Sequence, residues 1–128
     1  MGGMISHERR PIPSIALTTD SSFLTAWSND TDFESIFSRQ IQGLGKTGDV
    51  LIGISTSGNS ENVLAAVKQA KFRELSTIVF TGRLGGKING ISDVTINIPS
   101  EDTQRIQEAH IMVGQILCGL IEDDLLDE

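Results

Sequence analysis

One stretch constrains the fold of this chain more than any other. The uninterrupted apolar run Val50-Leu51-Ile52-Gly53-Ile54 leads into Ser55-Thr56-Ser57-Gly58-Asn59-Ser60 and then into an amphipathic segment, Glu61 to Phe72. A short apolar run without polar alternation predicts a central strand, covered on both faces, in a mostly parallel sheet. The polar stretch carries turn and helix-capping residues. Beyond it, Val63, Leu64, Val67 and Ala70 recur at helical spacing. Strand, polar turn and helix in that order predict an α/β layered domain.

The flanking sequence repeats the alternation. Ser14-Ile15-Ala16-Leu17-Thr18-Thr19 reads as a first strand, and the cluster Thr19-Asp20-Ser21-Ser22 starts a short helix through Trp27. Asp30 or Thr31 is placed to cap a second helix, with Phe33, Ile36, Phe37, Ile41 and Leu44 on its apolar face, and Gly45-Lys46-Thr47-Gly48-Asp49 breaks it. A strand is predicted at Thr77–Thr81, a loop with unusual backbone angles at Gly82-Arg83-Leu84-Gly85-Gly86, and a strand at Val94–Ile98 that Pro99 stops. The segment Thr103 to Leu126 reads as a long helix with too many apolar residues for one narrow face. It is expected to be buried on more than one side, in part against another subunit. Residues 1–13 are expected to be a flexible N-terminal segment and 14–126 the domain.

A chain of 128 residues supports one core. Its longest apolar stretches are five or six residues, too short to span a bilayer. The opening MGGMISHERRPIP has charges and prolines where a secretory signal needs apolar residues. The net charge of -7 argues against nucleic acid as a direct partner, while a small anion needs only a few local donors. The single cysteine, Cys118, sits among Ile116, Leu117 and Leu120 and is expected to be a buried structural thiol in a reducing, cytoplasmic setting.

Four hydroxyls, Ser55, Thr56, Ser57 and Ser60, stand within six residues after the apolar run. In doubly wound folds ligands bind at the carboxyl ends of the strands, and the first amides of the next helix carry a partial positive charge suited to phosphate. A single serine here would be explained by capping alone, but four crowded together predict an anion site. The stretch lacks the Gly-Lys-Ser/Thr ending of a Walker loop and is not a G-x-G-x-x-G fingerprint.

At this loop the sequence resembles the sugar isomerase (SIS) domain family, and within it the phosphoheptose isomerases. The likeness rests on Gly48-Asp49-Val50-Leu51 and Gly53 to Ser60, and extends to Ala16-Leu17-Thr18-Thr19-Asp20, Asn29-Asp30, Ile36 to Gln40, Thr81-Gly82-Arg83, Gly85-Gly86-Lys87 and Arg105 to His110. The resemblance implies a three-layer αβα, flavodoxin-like domain in a homotetramer. It also implies interconversion of sedoheptulose 7-phosphate and heptose 7-phosphate. It assigns Ser55, Thr56, Ser57 and Ser60 to the phosphate, Asp30 with Asn29 to the sugar, and Gln107 to the substrate or, in zinc-containing members, to the metal.

The chain departs from the family pattern in two ways. The first helices, the first strand with its Gly-Asn-Gly-Gly-Ser loop, and the glutamate thought to act as base have no counterpart in it, so the chain is expected to be a shortened member. The family's histidine eight residues beyond the glutamine is replaced by Gln115. At about 100° per residue, His110 and Gln115 face about 140° apart on a helix, which makes His110 a poor substitute and a structural or contact residue. His7 lies in the N-terminal segment. Gln107 alone makes no zinc site, and a glutamine cannot shuttle a proton. A non-catalytic sugar-phosphate sensor and a protein-interaction module similar to the replication initiator-associating protein therefore stand beside the isomerase.

Overall fold

The structure, a computed structural model, describes residues 9–127. His7 lies outside the described residues. In chain order the elements are α1 (Ser21–Asp30), α2 (Ile36–Leu44), β1 (Val50–Ser55), α3 (Glu61–Phe72), β2 (Ser76–Gly82), a 3-10 turn (Gly86–Ile88), β3 (Val94–Ile98) and α4 (Thr103–Leu126).

The three strands form one parallel sheet in the order β1-β2-β3. The alternation of β2 distributes its two faces. Val79 packs with Gly53, Val63 and Val67 on the side of α3, whereas Phe80 meets the ring of His110 on the side of α4. The helices α2 and α3 pack on each other, α3 lies on β1 and β2, and α4 crosses β2 and β3. The expected three-layer α/β arrangement is thus present, with Val67, Val79, Ile88 and Ile106 fully buried at its centre.

Polar side chains pin the sheet at its start. The Asp93 carboxylate accepts from the Thr77 amide at 2.8 Å and from its hydroxyl at 3.2 Å, and the Asp93 amide donates back to that hydroxyl at 2.9 Å. Capping follows the chemistry expected of short acidic residues. Asp20 accepts from the Phe23 amide, and Asp102 accepts from the amides of Gln104 and Arg105. The Arg9 guanidinium reaches Glu122 at 3.1 Å, tying the segment before α1 to α4.

Four expectations are corrected. Ser14–Thr19 forms no strand. An isolated extended segment has no neighbour for its amides and carbonyls, and here a turn at Leu17–Thr18 leaves the Leu17 carbonyl to the Gln40 side chain at 2.9 Å. Second, β1 is an edge strand among the described residues, with β2 in the centre. Val50, Ile52 and Ile54 are exposed, because α4 covers β2 and β3 and leaves that face of β1 open. Third, Asp30 ends α1, and the residue before α2 is Ser35, whose amide and hydroxyl both bond Asp32. Fourth, α4 buries only Ile106, His110 and Gly114, and Cys118 is half-buried.

Candidate functional site

The hydroxyl-rich loop leaves the carboxyl end of β1 and opens α3, the position at which open parallel sheets bind ligands. Ser55 organises it from within. Its buried Oγ accepts from the Gly58 amide at 3.1 Å and the Ser60 amide at 3.4 Å, and donates to the Ser60 hydroxyl at 3.0 Å. Ser57 Oγ accepts from the Asn59 amide at 3.1 Å. Thr56 and Ser57 are half-buried, with Ser57 at the turn itself. The Ser60 hydroxyl caps no amide of α3, so the first-turn amides keep the polarity that suits an anion.

A second loop braces the first. Gly58 has a left-handed backbone, φ +70°, and a Cβ there would fall on the carbonyl of Gly85. Gly86, φ +60°, lies equally close to Ser57 and Asn59. The Gly58 carbonyl accepts from the Ile88 amide at 3.0 Å, and Asn59 Oδ1 accepts from the Lys87 amide at 2.9 Å. Lys87 Nζ then meets Glu61 at 2.8 Å. Bonding to Lys87 holds the Glu61 carboxyl below its ordinary range, and the same bond holds the Lys87 ammonium above its own. The close backbone approach that a glycine allows at position 58 is thus to Gly85.

A cavity of about 1970 Å³ adjoins the loop and collects the sequence-predicted residues of α4. Gln107, His110 and Gln115 all line it, together with Ile54, the residue before Ser55. Gln107 and Gln115 are exposed. His110 is 3% exposed, and its Nε2 lies 2.8 Å from the Thr81 carbonyl. Since a carbonyl only accepts, Nε2 carries a proton toward it, and the buried Nδ1 has no hydrogen-bond partner. This fits the structural role expected of His110. Asn29 and Asp30, at the exposed end of α1, are not among the residues lining the cavity.

The described residues do not fit zinc. No three His, Cys, Asp or Glu side chains gather among them, and the amides of Gln107 and Gln115 are not the imidazole, thiolate and carboxylate donors that zinc takes. No helix among the described residues is long and apolar enough to cross a membrane.

The SIS domain family model matches residues 1–82. A phosphoheptose isomerase of Aquifex aeolicus is 55% identical over 121 residues, spanning 94% of this chain and 63% of that protein. One from a Nitratiruptor species is 54% identical, again over 94% of this chain and 65% of its own length. Among solved structures, phosphoheptose isomerase from Neisseria gonorrhoeae superposes with a TM-score of 0.82 at 52% identity, over 84% of this chain and 61% of that one. The enzyme from Francisella tularensis gives 0.87 at 39% identity, over 90% and 62%. The chain thus spans a little under two thirds of the relatives it matches.

Proposed function

We propose that this chain, which belongs to the SIS domain family, binds a phosphorylated sugar at the Ser55–Ser60 loop and serves the isomerisation of sedoheptulose 7-phosphate to heptose 7-phosphate. One observation carries the reading: a hydroxyl-rich loop, braced by Ser55 inside and by Gly85–Lys87 outside, opens a helix whose first amides Ser60 leaves uncapped. Phosphate oxygens would accept from the Thr56, Ser57 and Ser60 hydroxyls and from those amides. Likeness to the phosphoheptose isomerases supports the choice of sugar. By the same likeness Asp30 and Asn29 are assigned to the sugar, and the apolar stripe Met112, Ile116 and Leu120 on α4, more than half exposed throughout, supports assembly with further copies.

Isomerisation moves a proton between adjacent carbons and requires a base with a pKa near neutrality. Gln107 and Gln115 would hydrogen-bond the sugar's oxygens and orient it, since their amides hold no transferable proton. The base, and the donors of any zinc, would come from beyond the described residues. That same amide pair favours a second reading, a sugar-phosphate sensor that binds without turnover.

The test is calorimetric titration of the chain with sedoheptulose 7-phosphate, beside a Thr56→Val/Ser57→Ala variant, followed by an assay for the aldose product. Ser55 is left intact because it holds the loop's shape. Each lost bond to a charged acceptor is worth about 1.5–3 kcal/mol, so affinity should fall at least tenfold. Binding with turnover supports the isomerase, and binding without turnover supports the sensor. A well-folded chain that binds no sugar phosphate sinks both.

A further inference from the structure

The backbone around the Ser55–Ser60 loop fixes which way its hydroxyls donate. A hydroxyl has one proton to give and two lone pairs to fill. Both lone pairs of Ser55 Oγ face amides, that of Gly58 at 3.1 Å and that of Ser60 at 3.4 Å, so its proton goes to Ser60 Oγ at 3.0 Å. Ser60 thereby accepts within the loop and keeps its own proton for the outside. Ser57 Oγ is in the same state, because it accepts from the Asn59 amide at 3.1 Å. No acceptor among the described residues takes the protons of Thr56, Ser57 or Ser60.

The acceptors of the same loop are spent elsewhere. The carbonyls of Gly58 and Ser60 take the amides of Ile88 and Leu64, and Asn59 Oδ1 takes that of Lys87. Glu61, the carboxylate in the first turn of α3, is engaged by Lys87 Nζ at 2.8 Å. The loop thus presents three hydroxyl protons and the first-turn amides of α3, while its carboxylate and side-chain amide oxygens are held by Lys87. An O–H on a ligand could be met only by turning one hydroxyl from donor to acceptor, which forfeits a bond to the anion.

Resting on the phosphate reading of this loop, we propose that it selects oxyanions whose oxygens are all acceptors: it takes the dianion of a phosphate ester in preference to the monoanion and does not tell that dianion from sulfate. Lys87 serves this selection by neutralising Glu61, which would otherwise set a negative charge at the helix end that receives the ligand.

Affinity for sedoheptulose 7-phosphate is measured by calorimetry across this pH range, with inorganic sulfate as a competitor. A phosphate ester has its second pKa at about 6, so affinity should fall about tenfold from about pH 8 to about pH 5, whereas the displacement constant of sulfate, a dianion throughout, should change by less than about twofold. Charged and titratable groups on the elements around the loop are Glu61 and Lys68 of α3, Lys87 of the 3-10 turn, Arg83 after β2 and His110 of α4. They act on sulfate as on phosphate, so the sulfate arm subtracts them. A flat profile for the sugar phosphate, a sulfate constant that falls in parallel with it, or sugar-phosphate binding that sulfate does not displace overturns the proposal and leaves the phosphate site standing. A folded chain that binds neither anion at the alkaline end sinks the site itself. Lys87→Met, which bares Glu61, should weaken binding about fivefold at that end, and Lys87→Met/Glu61→Gln should return it to within about twofold of the parent. A double variant as weak as the single one overturns the masking of Glu61 and makes Lys87 a contact in its own right.

Discussion

The α-carbon of Gly58 and the carbonyl of Gly85 lie so close that no side chain fits between the two loops they belong to. Gly58→Ala should therefore destabilise the chain by about 1–3 kcal/mol through its left-handed backbone alone, and further by displacing Gly85. Gly43→Ala is the control. Gly43 is exposed in α2 with open space around it, and the change should stabilise by about 0.5–1 kcal/mol. Urea midpoints at constant slope measure both; equal effects would mean that the two loops do not brace each other.

Ser55→Ala removes the side-chain acceptor shared by two loop amides; the Gly58 amide keeps the Ser55 carbonyl at 3.1 Å, while the half-buried Ser60 amide loses its bond to the hydroxyl. A loss of about 1–3 kcal/mol is expected, together with faster hydrogen exchange at Gly58 and Ser60. Unchanged exchange there would show that the turn holds its shape without the hydroxyl.

The Glu61–Lys87 bond gives the loop pair a pH window. Glu61 titrates below its ordinary value, so its contribution is complete above the ordinary glutamate range and is lost as pH falls through the lowered value. Lys87 titrates above its ordinary value, so its contribution is complete below the ordinary lysine range and is lost as pH rises through the raised value. Both groups are exposed, so the effect is small and screened by salt. In Glu61→Gln the acid-side loss should shrink relative to the parent; an identical acid limb in the two proteins would remove the pair from the account.

His110→Leu takes the Nε2 donor from the Thr81 carbonyl but also removes a buried nitrogen without a partner. The first effect costs about 1–3 kcal/mol and should dominate the relief of the second. A thermal midpoint at or above that of the parent would reverse this ranking.

Legibility in the sequence followed the locality of the interactions. Helix α3, strand β3 and helix α4 have the bounds that the apolar spacing and Pro99 announce, because periodicity and breakers act within a few residues. The Ser55–Ser60 turn was readable for the same reason, as were the left-handed angles of Gly85 and Gly86, whereas that of Arg83 carried no such signal. The run Val50–Ile54 was apolar as read, but apolarity does not say whether the covering elements stand in the same chain, and β1 proved to be an edge. Ser14–Thr19 failed as a strand because pairing depends on a neighbour distant in sequence. The bracing of Asn59 by Lys87, 28 residues away, left no local signal. The separation of about 140° between His110 and Gln115 was right for a helix, yet a cavity this wide reaches both.

The reciprocal bonds between Thr77 and Asp93 lock one register of the sheet. Parallel strands joined through a long crossover have several nearly equivalent alignments, and a slip of one residue turns every side chain to the opposite face. Any such slip would carry the Asp93 carboxylate away from its two donors while Thr77 stays in the interior, stranding polar groups where water cannot reach them. One aspartate at the entrance to β3 thereby favours the single alignment in which the pairs from Ile78–Val94 to Gly82–Ile98 form.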